Sequence, residues 1–295
     1  MTTPRITQRL LVDRSLATLQ GSLGRLAAVQ EQVATGKLVN RPSDSPTDTA
    51  ALMKNRQALR EVEQHGRNAA DGGDRLAQTD AVLRTSMDAL RRAQELALQG
   101  ASSGATGQQA REALATEVDQ IRQGLVAQAN TQRLGRPLFG GTTGLPTAYD
   151  ASGTYVGDRV AVQRTVADGE QVRVDVAGPE AFGDGETSVF ADLARLSANL
   201  RGNPGAISGD VAALESARQR LAGATTDAGA RAARLEKVTD VAASRKIDLQ
   251  AQISDIEDID FAEAATELGL REMAYQAALG STARVLQPSL LDFLR

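Results

Sequence analysis

Hydrophobic residues recur along this chain at alternating steps of three and four over two long terminal stretches, and at steps of two only in one short central segment. Near the start, Val12, Leu16, Leu19, Leu23, Leu26 and Val33 keep the helical rhythm, broken by Gln30, over a helix predicted from about Thr7 to Ala34. In the stretch Ile253 to Leu294, Phe261, Ala265, Leu268, Tyr275, Leu279 and Leu286 fall along one side of a helix, with Glu272 and Thr282 inside the seam. Neither helix can bury its own stripe, so the two ends are predicted to pair antiparallel, as a helical bundle or coiled coil. Two readings stay open for these stripes: the core of an ordinary bundle, or a surface that further subunits cover.

Between the ends the pattern changes several times. Gly36 stops the first helix, and Asn40 to Pro46 is a run of turn formers, after which Thr47 or Asp48 is expected to cap the next helix. Leu52, Leu59 and Val62 lead into a polar stretch through His65 and Asn68, and then Leu76, Leu83, Leu90 and Ala97 repeat at seven. Beyond a Gly100 to Gly107 loop, Leu114, Val118, Ile121 and Leu125 mark a helix expected to end near Leu134-Gly135. Composition then shifts toward glycine. Val160, Val162, Arg164 and Val166, followed by Val172, Val174 and Val176, alternate on either side of a turn at Ala167-Asp168-Gly169-Glu170, the pattern of a β-hairpin. Helical spacing returns from Val189 to Leu200 and again from Val211 to Ile247. The predicted fold is therefore mainly α with a small β insert, a hairpin-like path with a distal β domain. Expected boundaries are 1–40 with 254–295 for the terminal coiled coil, 41–136 with 188–253 for a helical bundle, and 137–187 for the β-rich part.

Composition narrows the function. Of 295 residues only 3% are aromatic and none is Trp, so the interior must be built from Ala, Leu, Val and Ile, which suits close helix packing. With no Cys, thiolate metal sites and cysteine nucleophiles are excluded. A formal net charge of -4 argues against general nucleic-acid binding. Its distribution is uneven. Through Arg41 there are six cations, Arg5, Arg9, Arg14, Arg25, Lys37 and Arg41, against Asp13 and Glu31. From Asp248 to Glu272 the balance reverses, with Asp255, Glu257, Asp258, Asp260, Glu263 and Glu267 between those two acids and Arg271 as the one cation. Paired antiparallel, the Lys37 and Arg41 end would approach Asp255 to Asp260 and set the register. No apolar run reaches the ~18 residues of a membrane span, so no membrane insertion is expected, and Met1 to Gln8 is polar, unlike a cleavable leader.

Chemistry finds no foothold in the residues. The single His65 cannot make a two-His metal site and reads as a polar helix-surface residue. The carboxylates from Asp255 to Glu263 point several ways around a helix, so capping and solvation fit them better than a cation does. Phe139-Gly140-Gly141-Thr142-Thr143-Gly144 has neither the spacing nor the lysine of a phosphate loop and reads as a turn. No enzyme, cofactor or metal is expected.

Arg5-Ile6-Thr7-Gln8, Thr35-Gly36-Lys37 and Arg41-Pro42-Ser43-Asp44-Ser45-Pro46, where Ser45 stands in place of a second Asp, resemble segments of the flagellin superfamily. The segment Ile253-Ser254-Asp255-Ile256-Glu257-Asp258-Ile259-Asp260-Phe261-Ala262-Glu263-Ala264 is similar to one that filament flagellins share. Asn130 with Gly135-Arg136-Pro137-Leu138-Phe139-Gly140-Gly141, Tyr155-Val156-Gly157-Asp158 and Ser289-Leu290-Leu291-Asp292-Phe293-Leu294 resemble the hook-associated proteins of the hook-filament junction. That resemblance implies an extracellular flagellar component exported by the type III route without a cleaved leader. It implies a homo-oligomeric ring layer between an adjacent hook-associated protein and filament flagellin, and a cytoplasmic export chaperone. The expected assembly interface is Leu16, Leu19, Leu23, Leu26 and Val33 with Phe261, Leu268, Tyr275, Leu279, Leu286, Leu290, Leu291 and Phe293. Alternatives are a minor filament flagellin and, from another class, a secreted module whose β insert binds a surface or glycan; an aromatic-lined groove would be its mark, and only Phe139, Tyr149, Tyr155, Phe182 and Phe190 lie near the insert to form one.

Overall fold

The structure, a computed structural model, describes residues 3–102 and 107–286. In chain order it runs α1 (Thr3–Thr35), α2 (Pro46–Ala101), α3 (Gln108–Ala129), β1 (Gln132–Arg133), β2 (Arg136–Pro137), β3 (Gln163–Ala167), β4 (Glu170–Arg173), α4 (Gly178–Phe182), α5 (Val189–Gly202), α6 (Ile207–Glu257) and α7 (Phe261–Leu286). It is mainly helical, with two small antiparallel sheets in the middle of the chain. Two compact units form, one from Met1–Arg60 with Lys246–Arg295 and the other from Glu61–Arg245.

The larger unit is built on the heptad read in α2. Leu76, Leu83, Leu90 and Ala97 are all fully buried, and the repeat extends back one step to Ala69. Leu114, Val118 and Leu125 of α3, Leu193, Leu196 and Leu200 of α5, and Leu214, Leu221 and Leu235 of α6 close the same core. Two glycines let α2 come close to its neighbours. A Cβ on Gly72 would stand 2.7 Å from Val174 Cγ1, and one on Gly100 would stand 2.2 Å from Leu200 Cδ2, inside any tolerable contact.

The helix before the β insert ends earlier than the spacing predicts. α3 stops at Ala129, and Leu134 and Gly135 are instead the two central residues of the β1–β2 hairpin, with φ of 52° and 76°. That left-handed pair is what a two-residue hairpin turn requires. Leu134 is 89% exposed, so its apolar character points to a helix it does not join. Asn130 anchors the segment around Ala148 and Tyr149. Its Oδ1 accepts from the backbone N–H groups of those two residues, both at 2.8 Å, and its Nδ2 donates to the Tyr149 carbonyl at 2.8 Å.

Strands β3 and β4 pair around Asp168-Gly169, with Arg164 opposite Val172 and a bulge between Thr165 and Ala167. Val166, Val172, Val174 and Val176 point inward as the alternation predicts, while Val160 precedes the strand and is exposed. The insert shares its core with the helices: Leu138, Phe139, Tyr149 and Phe182 belong to the cluster that holds Leu76 and Leu235. The five aromatics near the insert pack on one another rather than lining a groove. Tyr149 meets Tyr155 at 5.3 Å and Phe190 at 5.0 Å, and Phe139 meets Phe182 edge-on at 5.1 Å. Burial pushes the Tyr155 hydroxyl up to about 12, and that group donates to the carbonyl oxygens of Phe139 and Asp158. Asp158 in turn accepts from the N–H and hydroxyl of Thr142, each at 2.8 Å. Gly141 (φ 68°) has no room for a side chain, since a Cβ there would sit 2.2 Å from Asp158 Oδ1. These contacts account for the Phe-Gly-Gly and Tyr-Val-Gly-Asp segments as a packing unit.

Candidate assembly interface

In the smaller unit α1 and α7 lie against each other, antiparallel, joined at one end by a short backbone ladder. The Leu38 N–H donates to the Glu257 carbonyl at 2.6 Å and the Ile259 N–H to the Gly36 carbonyl at 3.1 Å. Gly36 adopts φ 71°, which closes α1 and turns the chain toward this ladder. The C-terminal stretch is thus two helices rather than one. α6 ends at Glu257, and Asp260 caps α7 by accepting from the N–H groups of Ala262 (2.8 Å) and Glu263 (3.3 Å).

Along the pair the inward positions follow heptads. On α1, Val12, Leu19, Leu26 and Val33 are spaced by seven, and Ser15, Ser22 and Val29 fill the intervening seam, all buried or half-buried. Val29, 8% exposed, repairs the break at Gln30. On α7, Ala264, Leu268, Arg271, Tyr275, Ala278 and Thr282 alternate by four and three, again buried or half-buried. Thr282 is an inward residue at 8% exposure, and Glu272 lies outside the seam.

One carboxylate ties the unit together. Glu257, 5% exposed, is bonded to Lys37 Nζ and, at 2.6 Å, to Arg56 of α2. Burial pushes the Glu257 carboxyl up, but the two cations more than offset this, so it lies below its ordinary value. Arg41 does not reach the acidic segment. It pairs with Glu31 at 2.9 and 3.0 Å, while Asp258 accepts from Ser254. Charge pairing between α1's end and the acidic segment therefore exists but runs through Lys37 and Glu257, not through Arg41, Asp255 or Asp258. The turn after Val39 is held by Asp44 Oδ2, which accepts from the N–H groups of Asn40 (3.2 Å) and Arg41 (2.8 Å). Ser45, not Thr47 or Asp48, caps α2. Its hydroxyl donates to Asp48 Oδ2 at 2.7 Å and accepts from the Asp48 N–H at 3.4 Å, with Pro46 at the first helical position.

Residues 12–143 match the family model of the bacterial flagellin N-terminal helical region, and residues 211–294 match that of the flagellin C-terminal helical region. The chain belongs to the flagellin superfamily. It is 23% identical over 300 residues to flagellar hook-associated protein 3 of Salmonella typhimurium, covering 93% of this chain and 94% of that protein. Its fold is similar to a solved structure from Vibrio parahaemolyticus assigned to the flagellar hook-associated proteins (22% identity, TM-score 0.67, 73% of this chain and 100% of that one). It is also similar to Bacillus cereus FlgL (23%, TM-score 0.60, 68% and 99%). This flagellin-family chain is a hook-associated protein 3 homologue, from a structural rather than enzymatic family.

In this flagellin-family pair the residues expected at the interface divide. Leu19, Leu26, Val33, Leu268 and Tyr275 are taken up between α1 and α7. Leu16 (45% exposed), Leu23 (47%), Phe261 (61%) and Leu279 (42%) face outward. Leu286 ends α7, and Leu290, Leu291 and Phe293 lie outside the described residues. The sequence pattern missed Ser15 and Ser22, and placed Glu257 in the acidic run facing Lys37 without marking it as the buried member. That burial could have been read, because Leu249, Ile253 and Glu257 share one face at steps of four. Among the described residues no helix is long and apolar enough to cross a membrane.

Proposed function

We propose that this chain is a structural subunit at the hook-filament junction of the bacterial flagellum, required for filament attachment. The reading rests on the likeness to hook-associated protein 3, which runs over 93% of the chain and so includes the β insert. It is supported by a helix pair that fills one seam and keeps Leu16, Leu23, Phe261 and Leu279 free for further contacts. In this reading 1–40 with 254–295 is the assembling part, and copies form a ring layer outside the cell between an adjacent hook-associated protein and filament flagellin. A cytoplasmic chaperone delivers the chain for type III export. Negative-stain microscopy of a strain lacking the chain tests it: hooks without filaments, with flagellin shed into the medium, are expected. Normal filaments would instead make it a minor flagellin.

A further inference from the structure

The larger unit carries an open groove of about 420 Å³ where α2 and α6 meet the β3–β4 hairpin, and none of its lining residues belongs to α1 or α7. Val62 of α2, Val166 of β3, and Val238 and Val241 of α6 give it an apolar floor, and Val241 is 56% exposed. Lys237 and Arg245, both exposed, stand on its rim with His65. Arg234 is occupied by Glu170 at 2.7 Å, but among the described residues Lys237 and Arg245 have no ion-pair partner. An apolar floor with uncompensated cations fits an apolar side chain flanked by carboxylates.

The chain itself displays such a knob. Phe261 begins α7 with most of its ring in solvent, and Asp255 and Glu263 flank it in sequence, both exposed and both without an ion-pair partner among the described residues. Asp258 and Asp260 nearby are engaged in local bonds, so they add field without being free to bridge. We propose that the groove of one copy receives Phe261 of a second copy, with Lys237 and Arg245 facing Asp255 and Glu263 of that copy. The contact is heterologous, knob to groove, and so propagates from copy to copy as a ring or helical layer requires. It rests on the proposed junction role only in assuming many copies side by side.

The chain has no cysteine, which allows disulfide trapping in purified full-length protein. A Val241→Cys chain mixed with a differently tagged Ala262→Cys chain should yield a mixed disulfide well above a Val241→Cys with Ser43→Cys control. Adding Phe261→Ala to the Ala262→Cys chain should lower the yield. Lys237→Glu with Arg245→Glu on the groove side should lower it about five-fold, the equivalent of two exposed pairs of ordinary strength. Combining those reversals with Asp255→Lys and Glu263→Lys in the other chain should restore it, which a merely misfolded variant would not allow. A yield equal to the control, or one indifferent to both Phe261 and the charges, overturns the proposal. Because the trap needs no flagellum, its failure leaves the microscopy result standing, and normal filaments in the deletion strain would leave the trap standing.

Discussion

Glu257 offers the sharpest test of how the smaller unit is held. Its carboxylate is 6% exposed, whereas Lys37 and Arg56 are each 47% exposed, so the two sides of the bond differ in what they lose when the other is removed. Replacing Glu257 by Gln releases two cations that water readily reclaims, and should cost about 1–2 kcal/mol, slightly more than an ordinary exposed pair. Replacing both cations, Lys37→Met with Arg56→Met, strands a buried carboxylate and should cost about 3 kcal/mol or more at neutral pH. The cations are thus more costly to lose than the anion they hold. Because the folded carboxyl lies below its ordinary value, the bond's contribution is fully present above the unfolded carboxylate value of about 4.3. It is lost as pH falls below that through the folded value. Amide hydrogen exchange at Leu38 and Ile259, whose N–H groups form the ladder beside Glu257, reads the change directly. Equal or greater loss of protection in Glu257→Gln than in the double methionine variant would show that the buried carboxylate does not depend on its cations in this way.

Three further outcomes are expected. Asn130→Ala should destabilise the larger unit by about 2–4 kcal/mol in urea unfolding, since it orphans backbone groups of the buried Ala148 and Tyr149, and Asn130→Asp, which keeps the acceptor, should cost less. Ser45→Ala should cost about 1 kcal/mol of helix stability, seen as faster exchange in the first turn of α2. Leu16→Glu with Leu23→Glu should leave the circular dichroism of the monomer unchanged yet abolish rescue of motility in a deletion strain, whereas Leu26→Ala should weaken the α1/α7 pair itself by about 2 kcal/mol or more.

Period was the most legible property of the sequence. The seven-residue repeat from Leu76 to Ala97 and the alternation from Val172 to Val176 both translate directly into burial, because large apolar side chains at those steps have one face to hide. Polar residues at seam positions left no such mark. Ser15 and Ser22 look like solvent residues until α7 covers them, and Leu134 looks like helix until a left-handed turn displays it. The acidic segment shows the same limit from the other side. Composition marks the whole stretch as charged, but which carboxylate is buried depends on the phase set by Leu249 and Ile253 and on the distant Lys37 and Arg56. The spare residues Leu16, Leu23, Phe261 and Leu279 were legible as apolar, and only the packed pair separates them from those already used.

The serines in the α1 seam carry a consequence for rates. A fully buried leucine contributes about 1.5–3 kcal/mol, so Ser15 and Ser22 leave the pair weaker than an all-leucine zipper of this length by several kcal/mol. With Ala264 and Ala278 opposite as well, the grip is concentrated at Leu19, Leu26, Val29, Leu268 and Tyr275. A clasp gripped at so few side chains opens more readily than an all-leucine pair would, and each opening offers both helices to a surface of matching period beside them.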